Sequence, residues 1–138
     1  MAQQLLEIGL VCVQNFKVQQ VENHILVVNA DRGQCKALCD ELEREKFQTV
    51  PLHSLEDLEN RIQSGLNQMV ILDLDNLPVD DRFVLKIRKQ NPSLPIIGVS
   101  ERSYHPELKE ALSSQICACL VKPTDLEELF YCIKSFCE

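Results

Sequence analysis

Five short apolar runs recur along the chain, and amphipathic segments separate them. The runs cover residues 25–28, 47–52, 69–72, 95–99 and 116–121, and a polar or charged residue follows each one. The clearest of them are continuous rather than alternating, a pattern that is typical of strands buried on both faces of a parallel sheet. We therefore predict five buried strands.

The segments between these runs carry apolar residues at helical spacing. The first segment, residues 32–46, places one apolar face on Cys35, Leu38, Cys39 and Leu42. Further helices are predicted from the candidate N-cap Ser54 and over residues 83–91, 106–112 and 125–136. Strands that alternate with helices indicate an α/β domain whose parallel sheet is covered on both faces. A length of 138 residues fits one domain.

Composition excludes several classes of function. Lys plus Arg number 14 against 21 Asp plus Glu, which gives a net charge of −7, and no basic stripe is present. The chain is therefore not expected to bind nucleic acid. No apolar run approaches the ~20 residues that a membrane span requires. We expect no membrane association and a cytoplasmic location.

The seven cysteines could indicate disulfides or a metal site. An odd number in a chain long enough to form its own core argues against a disulfide framework. No CxxC pair is present, and the three histidines stand apart. We interpret the cysteines as small buried hydrophobic residues.

Charged residues follow two of the predicted strands. Asp73 ends the third, and Lys122, followed by Pro123, ends the fifth. Because ligands bind at the carboxyl ends of the strands in open α/β sheets, this pair predicts a phosphate-handling or ion-regulated pocket. Thr124, with Glu127 three residues on, is read as the capping box of the last helix.

Residues 1–23 lie outside the alternation of strands and helices. They are rich in Gln and carry scattered apolar residues. We treat them as an N-terminal extension that is an extra element or a lead-in, and expect it to pack against the domain of residues 24–138 or against a second copy.

From about residue 23 to residue 137 the chain resembles a response-regulator receiver domain of the CheY-like family. The resemblance rests on the order of elements, on Asp73, on Ser100 after the fourth strand, and on the Lys122-Pro123 pair. It implies a flavodoxin-like, doubly wound, five-stranded parallel sheet of order 2-1-3-4-5. It also implies that Asp73 is the phospho-acceptor, that Ser100 is the switch hydroxyl, and that Lys122 offsets charge.

The same resemblance implies a non-enzymatic module of two-component signal transduction. Its partners would be a sensor histidine kinase or phosphotransfer protein and a downstream signalling protein. Mg²⁺ held by oxygen ligands would offset the phosphoryl charge at Asp73, and Ser100 would bond a phosphoryl oxygen.

The chain departs from the family pattern after the first strand. Two carboxylates usually stand where this sequence has Asn29 and Ala30. Asn29 offers a neutral carbonyl oxygen and Ala30 offers no ligand, so a Mg²⁺ site would be weak at best. Asp31 is a candidate metal ligand, although an N-cap of the following helix is its favoured reading.

The loop after the third strand also differs. The family usually places a proline four positions after the acceptor, and counting back from Pro78 leads to Leu74, which cannot be phosphorylated. We keep Asp73 as the acceptor, because burial fixes strand register while loops accept insertions. Asp75 is a further candidate metal ligand, for which we favour a solvated loop acid.

Two principal functions remain open. The chain is a single-domain phosphorylatable receiver, or it is a pseudo-receiver that acts as a phosphorylation-independent interaction or dimerisation module. With one carboxylate and one ammonium, the pocket is expected to be near neutral, with Lys122 in direct contact with Asp73. A homodimer would use the exposed charges Glu107, Lys109, Glu110, Glu127, Glu128 and Lys134.

Overall fold

The structure, a computed structural model, describes residues 24–64, 67–103 and 105–137, without the side chain of residue 137. The prediction for residues 1–23 lies outside this range. Within it, no helix is long and apolar enough to cross a membrane.

A single parallel sheet carries the fold, and its strand order is β2-β1-β3-β4-β5. This is the predicted order 2-1-3-4-5. The strands are β1 (His24–Val28), β2 (Thr49–Leu52), β3 (Asn67–Asp73), β4 (Ile96–Ser100) and β5 (Ala118–Val121). The fold is therefore the flavodoxin-like arrangement of CheY-like proteins, and all five carboxyl ends meet at one edge of the sheet.

Five α-helices follow the strands in turn. They are α1 (Arg32–Arg44), α2 (Leu55–Gln63), α3 (Asp81–Gln90), α4 (Lys109–Ser114) and α5 (Leu126–Cys137), and a 3-10 turn (Pro106–Leu108) leads into α4. Polar side chains cap the first three: Asp31, Ser54 and Asp80 each accept a hydrogen bond from the backbone N–H three residues on. Each N-cap fixes where its helix starts.

The core lies on both sides of the sheet. One cluster joins alternate residues of β1 and β3 to α2, α3 and α4, and the other joins the remaining alternate residues to α1 and α5. Cys35 and Cys39 belong to the second cluster and are buried, as predicted from their helical spacing.

β2 and β5 are shorter than the apolar runs that predict them. The first residue of each run instead bonds to the end of the preceding helix. The N–H of Phe47 donates to the carbonyl of Leu42, which closes α1, and the Phe47 ring packs against Phe130 at a centroid distance of 6.2 Å. The N–H of Ile116 likewise donates to Ala111 at the end of α4. Both residues are apolar because they cover helix ends.

Two further expectations are wrong. The cap of α5 is Asp125 rather than Thr124, since the Asp125 carboxylate accepts hydrogen bonds from the N–H groups of Glu127 and Glu128. Cys117 and Cys119 are exposed rather than buried. Cys119 lies in β5 and Cys117 directly precedes it, at the edge of the sheet, where only one face of the alternating side chains meets the core.

Candidate functional site at the carboxyl edge of the sheet

Four strand ends bring the candidate residues together. Asp73 is the last residue of β3 and Ser100 is the last residue of β4, while Asn29 and Lys122 directly follow β1 and β5. The parallel register pairs Asp73 with Val99 on the neighbouring strand, so these ends lie level. The sheet itself therefore positions the site.

Asp73 is almost completely buried, with 3% of its surface exposed, and both of its oxygens have partners. Oδ2 lies 2.5 Å from the Lys122 ammonium and accepts a hydrogen bond from Asn29 Nδ2 at 3.2 Å. Oδ1 accepts the backbone N–H groups of Asp75 at 2.9 Å and Asn76 at 3.0 Å. The expected direct contact between Lys122 and Asp73 is present.

Asp75 is an exposed loop acid, as favoured from the sequence, but its side chain also contacts this site. Its Oδ1 accepts the Ser100 hydroxyl at 2.6 Å, and its Oδ2 accepts the Glu101 N–H at 2.8 Å and lies 3.1 Å from Lys122 Nζ. The cause is the turn that Asp73 makes with its own backbone two residues on, which directs the Asp75 side chain over the end of β4.

The pKa values of this group reflect its contacts. Burial would raise the pKa of Asp75, but hydrogen bonds from Ser100, Glu101 and Lys122 outweigh it and hold that pKa below its usual value. Burial would likewise lower the pKa of Lys122, and its bonds to Asp73 and Asp75 raise it instead. Both side chains are therefore charged at neutral pH.

The expected count of one carboxylate is also wrong, because two carboxylates share the one lysine. A second cation reduces the imbalance: Nε of Arg102 lies 3.8 Å from Asp75 Oδ1, and this guanidinium also bonds Glu107 at 2.9 Å. Because Arg102 is shared between Asp75 and Glu107, it offsets the second carboxylate only in part, and the two cations do not fully neutralise the site. The sequence pattern does not predict the role of Arg102, because the position of this residue depends on the path of the loop after β4.

Asn29 holds the other side of Asp73. Its Nδ2 donates to Gln34 as well as to Asp73, both at 3.2 Å, and its Oδ1 accepts the Asp31 N–H and the Asn76 side chain, both at 2.8 Å. Every donor and acceptor of this amide is used. The role of Asn76 was not predicted; the Asp75-Asn76 pair, two residue types that favour turns, is the signal that the sequence offers for it.

Asp31 caps a helix and does not take part in this cluster. Its Oδ1 accepts the Gln34 N–H at 3.0 Å and caps α1, as favoured from the sequence, and the residue is exposed. The structure thus gathers Asp73, Asp75, Ser100 and Lys122, with Asn29 beside them, and leaves Asp31 at the helix end.

A cleft of about 670 Å³ opens beside the Asp73–Lys122 pair. Its polar wall includes Asn29 and Gln34, and its apolar wall includes Leu38, Val99 and Leu126. The cleft lies between α1 and the start of α5, and it is where a group from solvent would approach Asp73.

Comparison with known proteins agrees with this geometry. Residues 25–134 match the family model of the response regulator receiver domain. The chain belongs to this family. It is a receiver domain of the kind found in two-component response regulators, which are typically signal-transduction modules rather than enzymes.

Individual relatives support the family assignment. The chain is 32% identical over 114 residues to the Swarming motility regulation protein RssB of Serratia marcescens, which covers 81% of this chain. The matched part is 52% of RssB, so the chain spans about half the length of that relative.

Solved receiver structures share the fold. The response regulator TrrA of Thermotoga maritima, in complex with Mg(2+)-BeF, has a TM-score of 0.72 at 23% identity and covers 83% of this chain and 98% of its own. A receiver domain protein from Clostridium thermocellum has a TM-score of 0.74 at 17% identity, covering 83% and 93%.

Receiver domains as a family bind Mg²⁺ at the phosphorylation site, but the side chains of this receiver do not fit the ion. Both oxygens of Asp73 already accept hydrogen bonds or pair with Lys122, and Asn29 Oδ1 accepts the Asp31 N–H. Ala30 has no side-chain atom that could bind a metal. Asp75 turns toward Ser100. Within the described residues, no group of three or more His, Cys, Asp or Glu side chains is placed to hold a metal. Hard cations need several free oxygen ligands.

Proposed function

We propose that this receiver domain acts in two-component signalling as a protein-interaction module whose signalling does not depend on phosphorylation of Asp73. The observation that carries this proposal is the Asn29–Asp73 contact. The side-chain amide of Asn29 donates a hydrogen bond to the Asp73 carboxylate. A receiver with the usual acidic pair would have an anionic metal ligand at the position of Asn29.

Phosphoryl transfer to a carboxylate needs positive charge to offset the incoming group. Here Lys122 is the nearest cation, and it already pairs with two carboxylates. Without the acidic pair there is little to attract Mg²⁺, and the main electrophilic assistance is lost. Phosphorylation at Asp73 is therefore expected to be slow or absent.

Exposed apolar side chains support the interaction role. Val121 on β5 and Tyr131 on α5 expose 60% and 73% of their surfaces, and Phe136 exposes 40%. Large apolar side chains that remain in solvent are candidates for protein contacts. The partner would be a sensor histidine kinase, a phosphotransfer protein, a downstream signalling protein or a second copy. Two of the charged side chains predicted for a homodimer, Glu128 and Lys134, are exposed on α5, the helix that carries Tyr131.

The second candidate is a single-domain receiver in a phosphorelay, with Asp73 as phospho-acceptor, Ser100 and Lys122 in the family roles, and a weak Mg²⁺ site at Asn29, Asp73 and Asp75. The direct Asp73–Lys122 contact favours it. In this function a histidine kinase or phosphotransfer protein would supply the phosphoryl group.

Acetyl phosphate distinguishes the two functions. The protein is incubated with acetyl phosphate, with and without Mg²⁺, and its intact mass is measured, with a receiver that has the acidic pair as a positive control. We expect no phosphoryl adduct under conditions that label the control. A Mg²⁺-dependent adduct that disappears in Asp73→Asn would overturn the proposal and establish the phosphorelay function.

A further inference from the structure

Three hydrogen-bond donors converge on the carboxylate of Asp75. The Ser100 hydroxyl donates to Oδ1 at 2.6 Å, the Glu101 N–H donates to Oδ2 at 2.8 Å, and the Lys122 ammonium lies 3.1 Å from Oδ2. We call Ser100 Oγ, Glu101 N and Lys122 Nζ the donor trio. A hydroxyl, a backbone N–H and an ammonium together form a set that suits a carboxylate or a phosphoryl group equally.

The sheet fixes the donor trio before any anion arrives. Ser100 ends β4, and its carbonyl accepts the N–H of Lys122, so the ends of β4 and β5 are tied to each other. Ser100 is completely buried. Its oxygen accepts the Arg102 N–H at 2.9 Å, which leaves its own proton to be donated to Asp75. The trio is thus a preformed anion site.

Asp75 is equally fixed. Its own N–H and that of Asn76 bind Asp73 Oδ1, so the backbone turn that presents the Asp75 side chain is anchored to the acceptor residue. The Asp75 side chain is 21% exposed, and Arg102 approaches its Oδ1 from the solvent side. Both the Asp75 carboxylate and the donor trio that it contacts are therefore held in place by the backbone.

We propose, building on the phosphorylation-independent function above, that Asp75 is a built-in anionic ligand of the donor trio and takes the contacts that a phosphoryl group on Asp73 would need. The Ser100 hydroxyl, which the family uses to bond a phosphoryl oxygen, is permanently engaged. The end of β4 is held in one arrangement whether or not a phosphoryl donor is present. An external oxyanion cannot enter until Asp75 is removed.

The backbone amide of Glu101 reports on this site, and inorganic phosphate is the probe. Amide spectra of the wild-type protein and of Asp75→Ala are recorded during a phosphate titration. In the wild type the Glu101 amide should not respond. In Asp75→Ala the vacated trio should bind phosphate at least roughly tenfold more tightly, because no internal ligand competes for it.

Two variants serve as controls. Asp75→Asn keeps the shape of the side chain but loses its charge, and it should give an intermediate phosphate response. Asp40→Asn also removes one negative charge, but from a surface pair in which the Asp40 carboxylate lies 3.2 Å from the Lys36 ammonium. This variant should behave as the wild type. Thermal unfolding of each variant verifies that it is folded.

A wild-type Glu101 amide that responds to the phosphate titration would overturn the inference, and this measurement needs no variant to fold. So would a Glu101 amide whose chemical shift is the same in the wild type and in Asp75→Ala. Neither result bears on the labelling of Asp73 by acetyl phosphate. A wild type that is labelled at Asp73 would instead overturn the proposed function, so the two failures are distinguishable.

Discussion

The ammonium of Lys122 lies 2.5 Å from Oδ2 of Asp73, although their strands are not neighbours. Lys122 follows β5 and Asp73 ends β3, so the lysine side chain passes over the end of β4, which lies between them. Asp75 accepts the Ser100 hydroxyl at the same strand end. The site is consequently closed over Ser100 by one cation and two anions, and its stability depends on all three.

Replacing Lys122 by Met should destabilise the domain strongly. The change leaves Asp73 buried without its cation, and the loss of one partner of a buried pair costs about 3–5 kcal/mol. We expect the free energy of unfolding to fall by about 3 kcal/mol in urea denaturation at pH 7, because Asn29 and two N–H groups still bond Asp73.

Lys86→Met is the matched control for this measurement. Lys86 Nζ lies 2.7 Å from Glu59 in a surface pair, where the lysine side chain is 60% exposed. Surface pairs contribute about 0–1 kcal/mol. Equal losses in the two variants would contradict the account of Lys122 as the energetically important partner of a buried carboxylate.

The contribution of Asp75 to stability should depend on pH. Its pKa in the folded protein is lowered, so the folded state favours the ionised form. The stabilisation is then present above the unfolded pKa, about 3.9, and is lost as the pH falls through the lower folded value. Urea denaturation should show Asp75→Asn to be about 1–2 kcal/mol less stable than the wild type at pH 7. The difference should shrink below about pH 4; a difference independent of pH would contradict it.

Most of the fold could be predicted from the sequence, because burial on both faces leaves a continuous apolar run in β1 and β3, and the runs fix the order of elements. The positions of Asp73, Ser100 and Lys122 follow from the same reasoning, since parallel strands end at a common edge. Edge positions were harder to predict. Cys119 lies in an apolar run, yet the edge strand leaves it exposed.

The contacts of the loops could not be read from periodicity. The role of Asp75 depends on a turn closed by Asp73 Oδ1, and that of Arg102 depends on the backbone after Ser100. Both are set by individual hydrogen bonds rather than by a repeating pattern. The same limit explains why the charge count of the site was wrong by one carboxylate and one guanidinium.

Lys46 offers a position for stabilisation. It lies after α1 with φ of 74°, in the left-handed region where a side chain costs roughly 1–2 kcal/mol and Gly is preferred. Lys46→Gly should raise the free energy of unfolding by about 1 kcal/mol. Lys46→Ala keeps a Cβ and should bring no such gain; a similar rise in both variants would show that the lysine side chain, not the backbone, is responsible.

Thiol reactivity should separate the cysteines. Cys117 and Cys119 are exposed, whereas Cys35 and Cys39 are buried. Burial, followed by the proximity of Cys39, raises the pKa of Cys35 to about 11, so little of its reactive thiolate is present near neutrality. A short pulse of iodoacetamide at pH 8 with peptide mass mapping should label Cys117 and Cys119 in the folded protein. The buried pair should be labelled only in urea, and their rapid labelling without urea would contradict the packing of α1.

Restoring the acidic pair should create a metal site at a cost in stability. In Asn29→Asp combined with Ala30→Asp, a carboxylate replaces the N–H that now donates to Asp73 Oδ2, and two further anions join Asp73 and Asp75 beside one lysine. Without metal, the repulsion should destabilise the domain by roughly 1–3 kcal/mol. Mg²⁺ should then bind and restore the loss, because carboxylate oxygens are its preferred ligands.

Thermal unfolding with and without Mg²⁺ measures this coupling directly. The double variant should gain stability as Mg²⁺ is added, since a ligand that binds only the folded state stabilises it in proportion to the logarithm of its concentration over Kd. The wild type should change little. Asp75 remains on Ser100 in the double variant, so adding Asp75→Ala should increase labelling by acetyl phosphate relative to the double variant. A wild-type protein whose unfolding temperature rises with Mg²⁺ as steeply as that of the double variant would contradict the exclusion of the metal by Asn29 and Ala30.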